Sequence, residues 1–414
     1  MLRMMKGIQT SKSIWLILGI IVIVASLLRG AFFIQQMRIF QLSGDALNYH
    51  IMAHQLVEDH LYGYALARKS GESNSYITPG YPVFLAGVYS VIQDPYLQIT
   101  AVRLIQIAIG ALTPVFAFLF LRRIFRRNDI GIVTALLIAI YPPFVQAPVQ
   151  LLTEVLAMAT MLLYLWLMTV ALETRKWSYS VLAGLIFAVQ ILIRPVMLPL
   201  AIVPFIYALA TCYRGNIAGL FKVGVQTAIG VLILMLPWWI RNYIVLDKLI
   251  LTATGSANPL LAGTYPNMEH MFEDFKRAGY TSAEQSWYAK KRIIEGFTTQ
   301  PLVFLKWYTI GKTKVMFQTP WLYQELYKTP PFYGFNLAFH PIVMWTGFVG
   351  MLVGLFTNRV MRFLTVYAAL FLSLYLIFIP TTRYAYQVIF FVMTGAAFLV
   401  CWLAEKLFYR KKTI

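Results

Sequence analysis

Long apolar segments joined by short polar connections make up most of this 414-residue chain. A helix needs about 20 apolar residues to cross the hydrocarbon core of a bilayer, and segments of about this length recur along the sequence. They predict membrane-spanning helices over residues 13–35, 96–121, 130–147, 150–172, 177–194, 195–212, 222–241, 341–357, 361–380 and 384–405. The pattern therefore predicts an all-α polytopic membrane protein with about 10 to 11 transmembrane helices.

Two long stretches, 36–95 and 242–340, interrupt this apolar pattern. Within the first, residues 46–59 have a helical pattern with Leu47, His50, His54 and Val57 on one face. Amphipathic helices of this kind lie on or near a membrane surface.

Two apolar segments inside these stretches are not predicted to span. Residues 79–92 are too short and follow a Pro-Gly break, which favours a juxtamembrane or re-entrant helix. Residues 301–318 are nearly long enough but carry three lysines (Lys306, Lys312 and Lys314), so we expect them at the outer interface.

Composition supports a membrane protein and excludes several other classes. The chain is 59% hydrophobic and 12% charged, whereas a soluble domain has roughly a quarter charged residues. The net charge of +19 does not indicate nucleic-acid binding, because basic and aromatic residues do not form a combined patch. The two cysteines, Cys212 and Cys401, lie in apolar segments, so a disulfide framework is not expected.

The basic residues concentrate in the short connections and at the termini. Connections 122–129, 173–177, 212–216 and 357–362 and the C-terminal tail are all rich in Lys and Arg. The positive-inside rule places this side in the cytoplasm, with both termini, and places the two long stretches outside. No internal repeat or linker is evident, so residues 1–414 are predicted to form a single membrane domain.

Four isolated charges are not explained by this topology. Glu154, Arg194, Arg241 and Arg383 are each the only charge in a long apolar stretch, near its predicted outer end. A charge at the membrane centre costs about 2.5–3.5 kcal/mol on insertion scales, and such residues are functional candidates. One arginine alone could simply extend to the lipid headgroups. Three on the outer side predict a shared anion site, and a lipid phosphate fits that depth best.

Asp45 lies only a few residues after the end of the first predicted span and has two alternative interpretations. It could cap the helix over 46–59. It could also be a catalytic base, because transfer of a sugar from a lipid phosphate to a hydroxyl needs a base but no general acid. Glu154 approaches from the same side and could support this chemistry, or it could merely pair with an arginine.

His50 and His54 are four residues apart and share a helix face, so a divalent metal is the alternative to ordinary interfacial histidines. The pattern HExxH is absent, and the metal interpretation is the weaker one. We therefore predict no cofactor.

Several short motifs resemble polyprenyl-phosphate-sugar-dependent glycosyltransferases of the GT-C type, in the branch of protein O-mannosyltransferases and aminoarabinose transferases. They are Asp45 with Tyr49, TPGYPVFLA (78–86), YPPFVQAPVQLLTE (141–154), ILIRP (191–195), LPWWIRNYIVLDKLILTATGSANPLLAG (236–263), and Arg383 with Tyr384. They are spread over most of the chain.

This resemblance implies a GT-C-like bundle that transfers a sugar, with inversion, on the extracytoplasmic face. It implies a base at Asp45, a supporting acid at Glu154, and phosphate contacts from Arg194, Arg241, Arg383 and Tyr81. Ala46 follows Asp45 where many members have a second acid, which disfavours a metal held by paired carboxylates.

The predicted partners are a polyprenyl-phosphate sugar, such as an undecaprenyl-phosphate sugar, and a glycolipid, cell-wall polymer or protein acceptor, within membrane lipid. One alternative is a transporter or flippase of lipid-linked sugars. That class shows repeats and charges near the midplane, whereas the isolated charges here lie at one face. A second alternative, a surface-polysaccharide polymerase or ligase, would use the same phosphate site with a longer donor glycan.

Overall fold

The computed structural model describes residues 12–36, 42–64, 72–269, 271, 281–321 and 332–410. The basic residues Arg3 and Lys6, the end of the tail (411–414) and parts of both long polar stretches lie outside the described residues.

The described chain is built from helices, which are numbered in chain order. They are α1 (Lys12–Gln36), α2 (Gly44–Glu58), α3 (Gly80–Tyr89), α4 (Pro95–Phe125), α5 (Asp129–Ile140), α6 (Pro142–Gln146), α7 (Glu154–Thr174), α8 (Trp177–Ile193), α9 (Val203–Ala210), α10 (Ile217–Leu246), α11 (Ala257–Ala262), α12 (Ser282–Thr299), α13 (Pro301–Lys306), α14 (Lys312–Phe317), α15 (Phe332–Thr357), α16 (Arg359–Leu376) and α17 (Tyr386–Arg410). Short 3-10 helices at Ala147–Val149, Pro195–Ile202, Pro266–Met268 and Thr382–Ala385 connect some of them.

The predicted all-α membrane fold is confirmed. Within the described ranges, seven helices are long and apolar enough to cross a membrane, or eight if the bent pair Asp129–Ile140 and Pro142–Val149 is one span. The remaining two predicted spans, 177–194 and 195–212, correspond to shorter apolar helices, Trp177–Ile193 and Pro195–Ala210.

A proline accounts for the bend in the span formed by α5 and α6. The chain bends by 61° between α5 and α6. Tyr141 at this bend is extended, with φ −69° and ψ 122°, because the following Pro142 disfavours a helical residue before it. Such breaks are tolerated in a bilayer where the freed backbone groups are buried in protein or line a cavity.

The interior of the bundle is formed mainly by α7 and α17, while α1 and α10 expose most of their surface. Helices α8 and α10 approach closely at Gly184 and Gly230. A Cβ atom on Gly184 would lie 2.0 Å from the carbonyl oxygen of Thr227, so no larger side chain fits. Close contact through small residues is typical of membrane helices, which cannot use the hydrophobic effect to associate in lipid.

The two short helices predicted in the first polar stretch are present. Helix α2 covers the segment 46–59, and α3 begins at Gly80 after the Pro-Gly break. Segment 301–318 is a continuous helical stretch, in which a π-turn at Trp307–Gly311 joins α13 to α14.

The ion pairs of the bundle separate into two groups, because helix α7 carries an acid at each end. Glu154 at its first residue pairs with arginines from the predicted outer side. Glu173 near its last residue pairs with Arg123, with 2.6 Å between Oε2 and Nε. Arg127 joins this second end by pairing with Glu405 of the final helix. The short basic connections therefore lie at the end of the bundle opposite Glu154, and its orientation in the membrane stays a prediction.

Cysteine labelling tests this orientation. In a chain with Cys212 and Cys401 replaced by serine, we expect Ser73→Cys to react with a membrane-impermeant maleimide in intact cells. Arg214→Cys, in a basic connection, is the matched control and should react only after permeabilisation. Labelling of Arg214→Cys but not Ser73→Cys in intact cells would invert the proposed topology.

Candidate active site

A buried carboxylate joins three distant parts of the chain. Glu154, only 1% exposed, begins α7, and its Oε1 accepts hydrogen bonds from Nη2 of Arg194 and from Nε of Arg383. The N-terminal end of a helix also favours a negative charge. The structure thus brings together three of the four isolated charges identified in the sequence.

Arg194 is held in place by the local chain conformation and by neighbouring side chains. It ends α8 with an extended backbone, φ −144° and ψ 103°, as expected for a residue before Pro195. Its Nε donates to Oγ1 of Thr153 at 2.8 Å, and its Nη1 lies 3.4 Å from the hydroxyl of Tyr375. These contacts fix the guanidinium behind Arg383.

Asp45 lies on the solvent side of the same cluster. Its Oδ2 is 2.6 Å from Nη1 of Arg383, and its side chain is 46% exposed. The hydroxyl of Tyr64 lies 3.4 Å from Oδ1 of Asp45. Burial and the nearby Asp45 raise the pKa of Tyr64, which keeps this hydroxyl protonated as a donor. Arg383 therefore connects a buried acid to an accessible one.

The alternative interpretation of Asp45 as a helix cap does not match the geometry. The N-cap residue of α2 is Ser43, whose side chain forms no capping hydrogen bond. Asp45 lies after it, within the first turn of the helix. Asp45 instead faces Arg383. The helix N-terminus still favours its negative charge.

Arg241 binds the first outer stretch. Its Nη1 donates to the carbonyl oxygen of Asn74 at 3.0 Å and its Nη2 to that of Tyr62 at 3.1 Å. Its guanidinium also lies over the rings of Tyr62 and Trp238. A phosphate contact from Arg241 stays a prediction, and it would require a change in these bonds.

Tyr81 is fully buried beside the site. Its hydroxyl donates to Oε1 of Gln106 at 3.0 Å, and its ring packs edge-on against Tyr49 at 5.0 Å between centroids. Its predicted contact with the lipid phosphate is not tested by this arrangement and stays a prediction.

His50 and His54 lie together on the outer face of α2. The Nδ1 of His50 is 2.8 Å from the hydroxyl of Tyr89, and the Nδ1 of His54 is 2.8 Å from Oε1 of Glu58. Burial, with the neighbouring His54, lowers the pKa of His50 to about 4, so this ring is neutral at physiological pH. Within the part of the chain that the structure describes, no three His, Cys, Asp or Glu side chains form a group that could hold a metal.

A cavity of about 210 Å³ opens beside Asp45 and Arg383. Arg103, in α4, also lines it. Arg29, by contrast, is buried in α1 and donates to the carbonyl oxygens of Ala25, Ile138 and Ala139. Arg29 thus has a structural role in fastening α1 to α5, whereas Arg103 belongs to the site.

Lys312 helps to position the site, and the sequence pattern did not predict this role. Although fully buried, its Nζ donates to the carbonyl oxygens of Leu376 at 2.6 Å and Phe378 at 3.0 Å. A cation at the C-terminal end of α16 is favourable. These bonds fix the turn that leads from α16 to Arg383. The one sign of this role in the sequence is a lysine within an apolar segment.

The different burial of the two acids predicts different effects on stability. We expect Glu154→Gln to cost about 3–5 kcal/mol, because removing one partner of a buried ion pair leaves uncompensated charge. Asp45→Asn is the matched control and should cost at most about 1 kcal/mol, because its ion pair is half exposed. Thermal unfolding in detergent measures both. Equal midpoints for the two variants would contradict the structural role of Glu154.

Comparison with known proteins finds a family match over part of the sequence and a similar fold over most of the chain. Residues 77–240 match the family model described as dolichyl-phosphate-mannose-protein mannosyltransferase. This range includes Tyr81, Glu154 and Arg194 but not Asp45, Arg241 or Arg383. None of the curated proteins compared with the chain matches it.

Solved structures of the oligosaccharyltransferase of Archaeoglobus fulgidus have a similar fold. The apo form matches with a TM-score of 0.56 and 15% identity, over 95% of this chain and 51% of that one. The enzyme AglB in complex with an inhibitory peptide and a dolichol-phosphate matches with a TM-score of 0.56 and 16% identity, over 95% and 51% of the two chains. The present chain therefore spans about half the length of these solved structures. The family match and the shared fold confirm the resemblance to GT-C-type glycosyltransferases that the motifs indicated.

Proposed function

We propose that the protein transfers one sugar from a polyprenyl-phosphate carrier to an acceptor hydroxyl on the extracytoplasmic face of the membrane. The observation that carries this proposal is the contact between an accessible carboxylate, Asp45, and a guanidinium, Arg383, at the wall of a cavity. The family match, and the dolichol-phosphate bound in the AglB complex, support a donor of this kind.

Arg383 is the proposed ligand of the leaving phosphate. When the bond between the anomeric carbon and the phosphate oxygen breaks, its electron pair stays on the phosphate, and a nearby cation stabilises the new charge. A guanidinium suits this role because it stays charged and can bind phosphate oxygens in a bidentate way. Arg194, directly behind, adds a second positive charge without being as exposed.

Asp45 is the proposed base. It takes the proton of the acceptor hydroxyl while the hydroxyl oxygen bonds to the anomeric carbon from the face opposite the phosphate. This single displacement inverts the anomeric configuration, and the proton then passes from Asp45 to water. The exposed fraction of Asp45 lets an acceptor reach it, as general base catalysis requires.

The ion pair between Asp45 and Arg383 suggests how the base becomes available. The donor phosphate and Asp45 compete for Nη1 of Arg383, so donor binding releases the carboxylate. We infer that the donor binds first and that Asp45 becomes free to accept a proton only afterwards. Glu154, which is buried and bound to both arginines, acts as a positioning residue for Arg383.

The acceptor is proposed to be a glycolipid, a cell-wall polymer or a protein.

The active-site end of the bundle is proposed to face the outside of the cytoplasmic membrane, since the basic connections lie at the opposite end. Both termini then lie in the cytoplasm.

Replacement of the base tests the chemistry. We expect Asp45→Asn to lower the transfer rate by about 10²–10⁴-fold, the usual contribution of a general base. The probe is a panel of radiolabelled polyprenyl-phosphate monosaccharides, with transfer followed in membranes that contain the native acceptors. Binding of the same lipids to purified Asp45→Asn should stay near the parent level. Turnover at the parent rate would remove Asp45 as the base.

Arginine variants test the phosphate site. We expect Arg383→Ala to weaken binding of polyprenyl phosphate by about 10–100-fold, from the loss of hydrogen bonds to a charged group. Arg241→Ala should also weaken donor binding, through Arg241 itself or through the outer stretch that it holds. Arg123→Ala, whose ion pair lies at the other end of the bundle, is the control and should bind like the parent. Parent-like binding by both Arg383→Ala and Arg241→Ala would exclude the shared phosphate site.

A further inference from the structure

The cavity beside Asp45 and Arg383 has a wall that the proposed chemistry does not use. This wall comes from the end of α1, from α4, from the segment after α6 and from Trp321. Its lining residues away from the catalytic pair include Phe32, Gln36, Arg103, Gln150 and Trp321.

Gln36 is the most informative of these residues. Its side chain is only 6% exposed, and its amide Nε2 has no hydrogen-bond partner among the described residues. Most buried polar side-chain atoms in native proteins have a partner, because an unsatisfied donor costs about 1–3 kcal/mol. A buried amide donor in the wall of a cavity, with no partner among the described residues, can donate to a ligand that accepts a hydrogen bond there.

Trp321 also lines the cavity, and both its backbone and its ring are held in place. Its carbonyl oxygen accepts a hydrogen bond from Nε2 of Gln146 at 2.7 Å. Its ring packs edge-on against Tyr386, with 5.8 Å between centroids. An aromatic ring and a few fixed polar groups around one cavity suit a ligand with an apolar face and a polar rim. A sugar ring has this character, with C–H groups on its faces and hydroxyls at its edge.

We infer that this cavity holds the sugar of the donor, with the amide of Gln36 donating to a sugar hydroxyl and Trp321 packing against the ring. The inference rests on the proposed function. In that reaction the sugar carries the leaving phosphate and receives the acceptor oxygen. The sugar must therefore touch both Arg383 and Asp45, and the cavity adjoins both residues.

The size of the cavity favours one sugar unit. Its volume of about 210 Å³ is below the range of about 300–1,000 Å³ found for pockets that take drug-sized ligands. If the donor carried several sugars, only the first would fit in the cavity. In this inference, Gln36 and Trp321 contact that first sugar and determine the specificity for it.

The sugar site is tested by measuring how the purified full chain binds two kinds of lipid, one without and one with a sugar. The probes are plain polyprenyl phosphate and a panel of polyprenyl-phosphate monosaccharides, measured in lipid nanodiscs. We expect Gln36→Leu and Trp321→Leu each to weaken binding of the preferred sugar-bearing lipid by about tenfold, the effect of one lost hydrogen bond or stacking contact. Both variants should bind plain polyprenyl phosphate like the parent, which also shows that they are folded.

Two further variants serve as controls. Trp321→Phe keeps an aromatic surface and should recover most of the affinity for the sugar-bearing lipid. Gln98→Leu removes a buried glutamine whose Nε2 donates to the carbonyl oxygen of Ile92, outside the cavity lining, and should leave the ratio of the two affinities unchanged.

The possible results separate this inference from the proposed function. If the parent binds no sugar-bearing lipid better than plain polyprenyl phosphate, the sugar site does not exist. If the parent does so and both cavity variants keep the full preference, the inference is wrong while the proposed function stands. If Gln36→Leu weakens both lipids equally, or alters only the dependence of transfer on acceptor, the cavity does not hold the donor sugar.

Discussion

The buried ion cluster of Glu154, Arg194 and Arg383 is the constraint on which the site depends. A charge inside a membrane protein is costly, and the cost is offset only when partners are correctly placed. One carboxylate satisfies two arginines here. The start of α7, the end of α8 and the turn before α17 must therefore meet at one point, and this requirement fixes the relative positions of the helices that form the interior.

The outer segments are arranged around this fixed point. Arg383 extends from the cluster to Asp45, which ties α2 to the last helix across 338 residues of sequence. Arg241 holds the backbone of the first outer stretch, and Lys312 holds the turn that precedes Arg383. Each of these bonds joins a side chain to backbone or to charge on another element. The site is thus positioned by polar contacts, since lipid gives little hydrophobic drive for helix association.

The sequence predicted the all-α membrane fold, the outer helices over 46–59 and 79–92, and the importance of the isolated charges, because these depend on local composition and spacing. It could not predict which charges pair. Glu154 and Arg383 are 229 residues apart, and their meeting follows from tertiary packing. The sequence also treated Arg241 like the other two arginines, although the structure gives it backbone carbonyl partners. Gln36 went unnoticed, because an unsatisfied amide is visible only when its surroundings are known.

The charge balance of the site explains why Asp45, and not Glu154, can link donor binding to the proposed sugar transfer. Two arginines face two carboxylates, so the cluster with Asp45 is neutral without a donor. The buried Glu154 cannot exchange partners without leaving charge unpaired in the interior. Asp45 can, because half of its side chain is exposed to water and its ion pair is weak. In the proposed reaction, an incoming phosphate therefore displaces Asp45 and not Glu154 from Arg383. The same difference in burial lets Glu154 hold Arg383 in place while Asp45 becomes available as the proposed base.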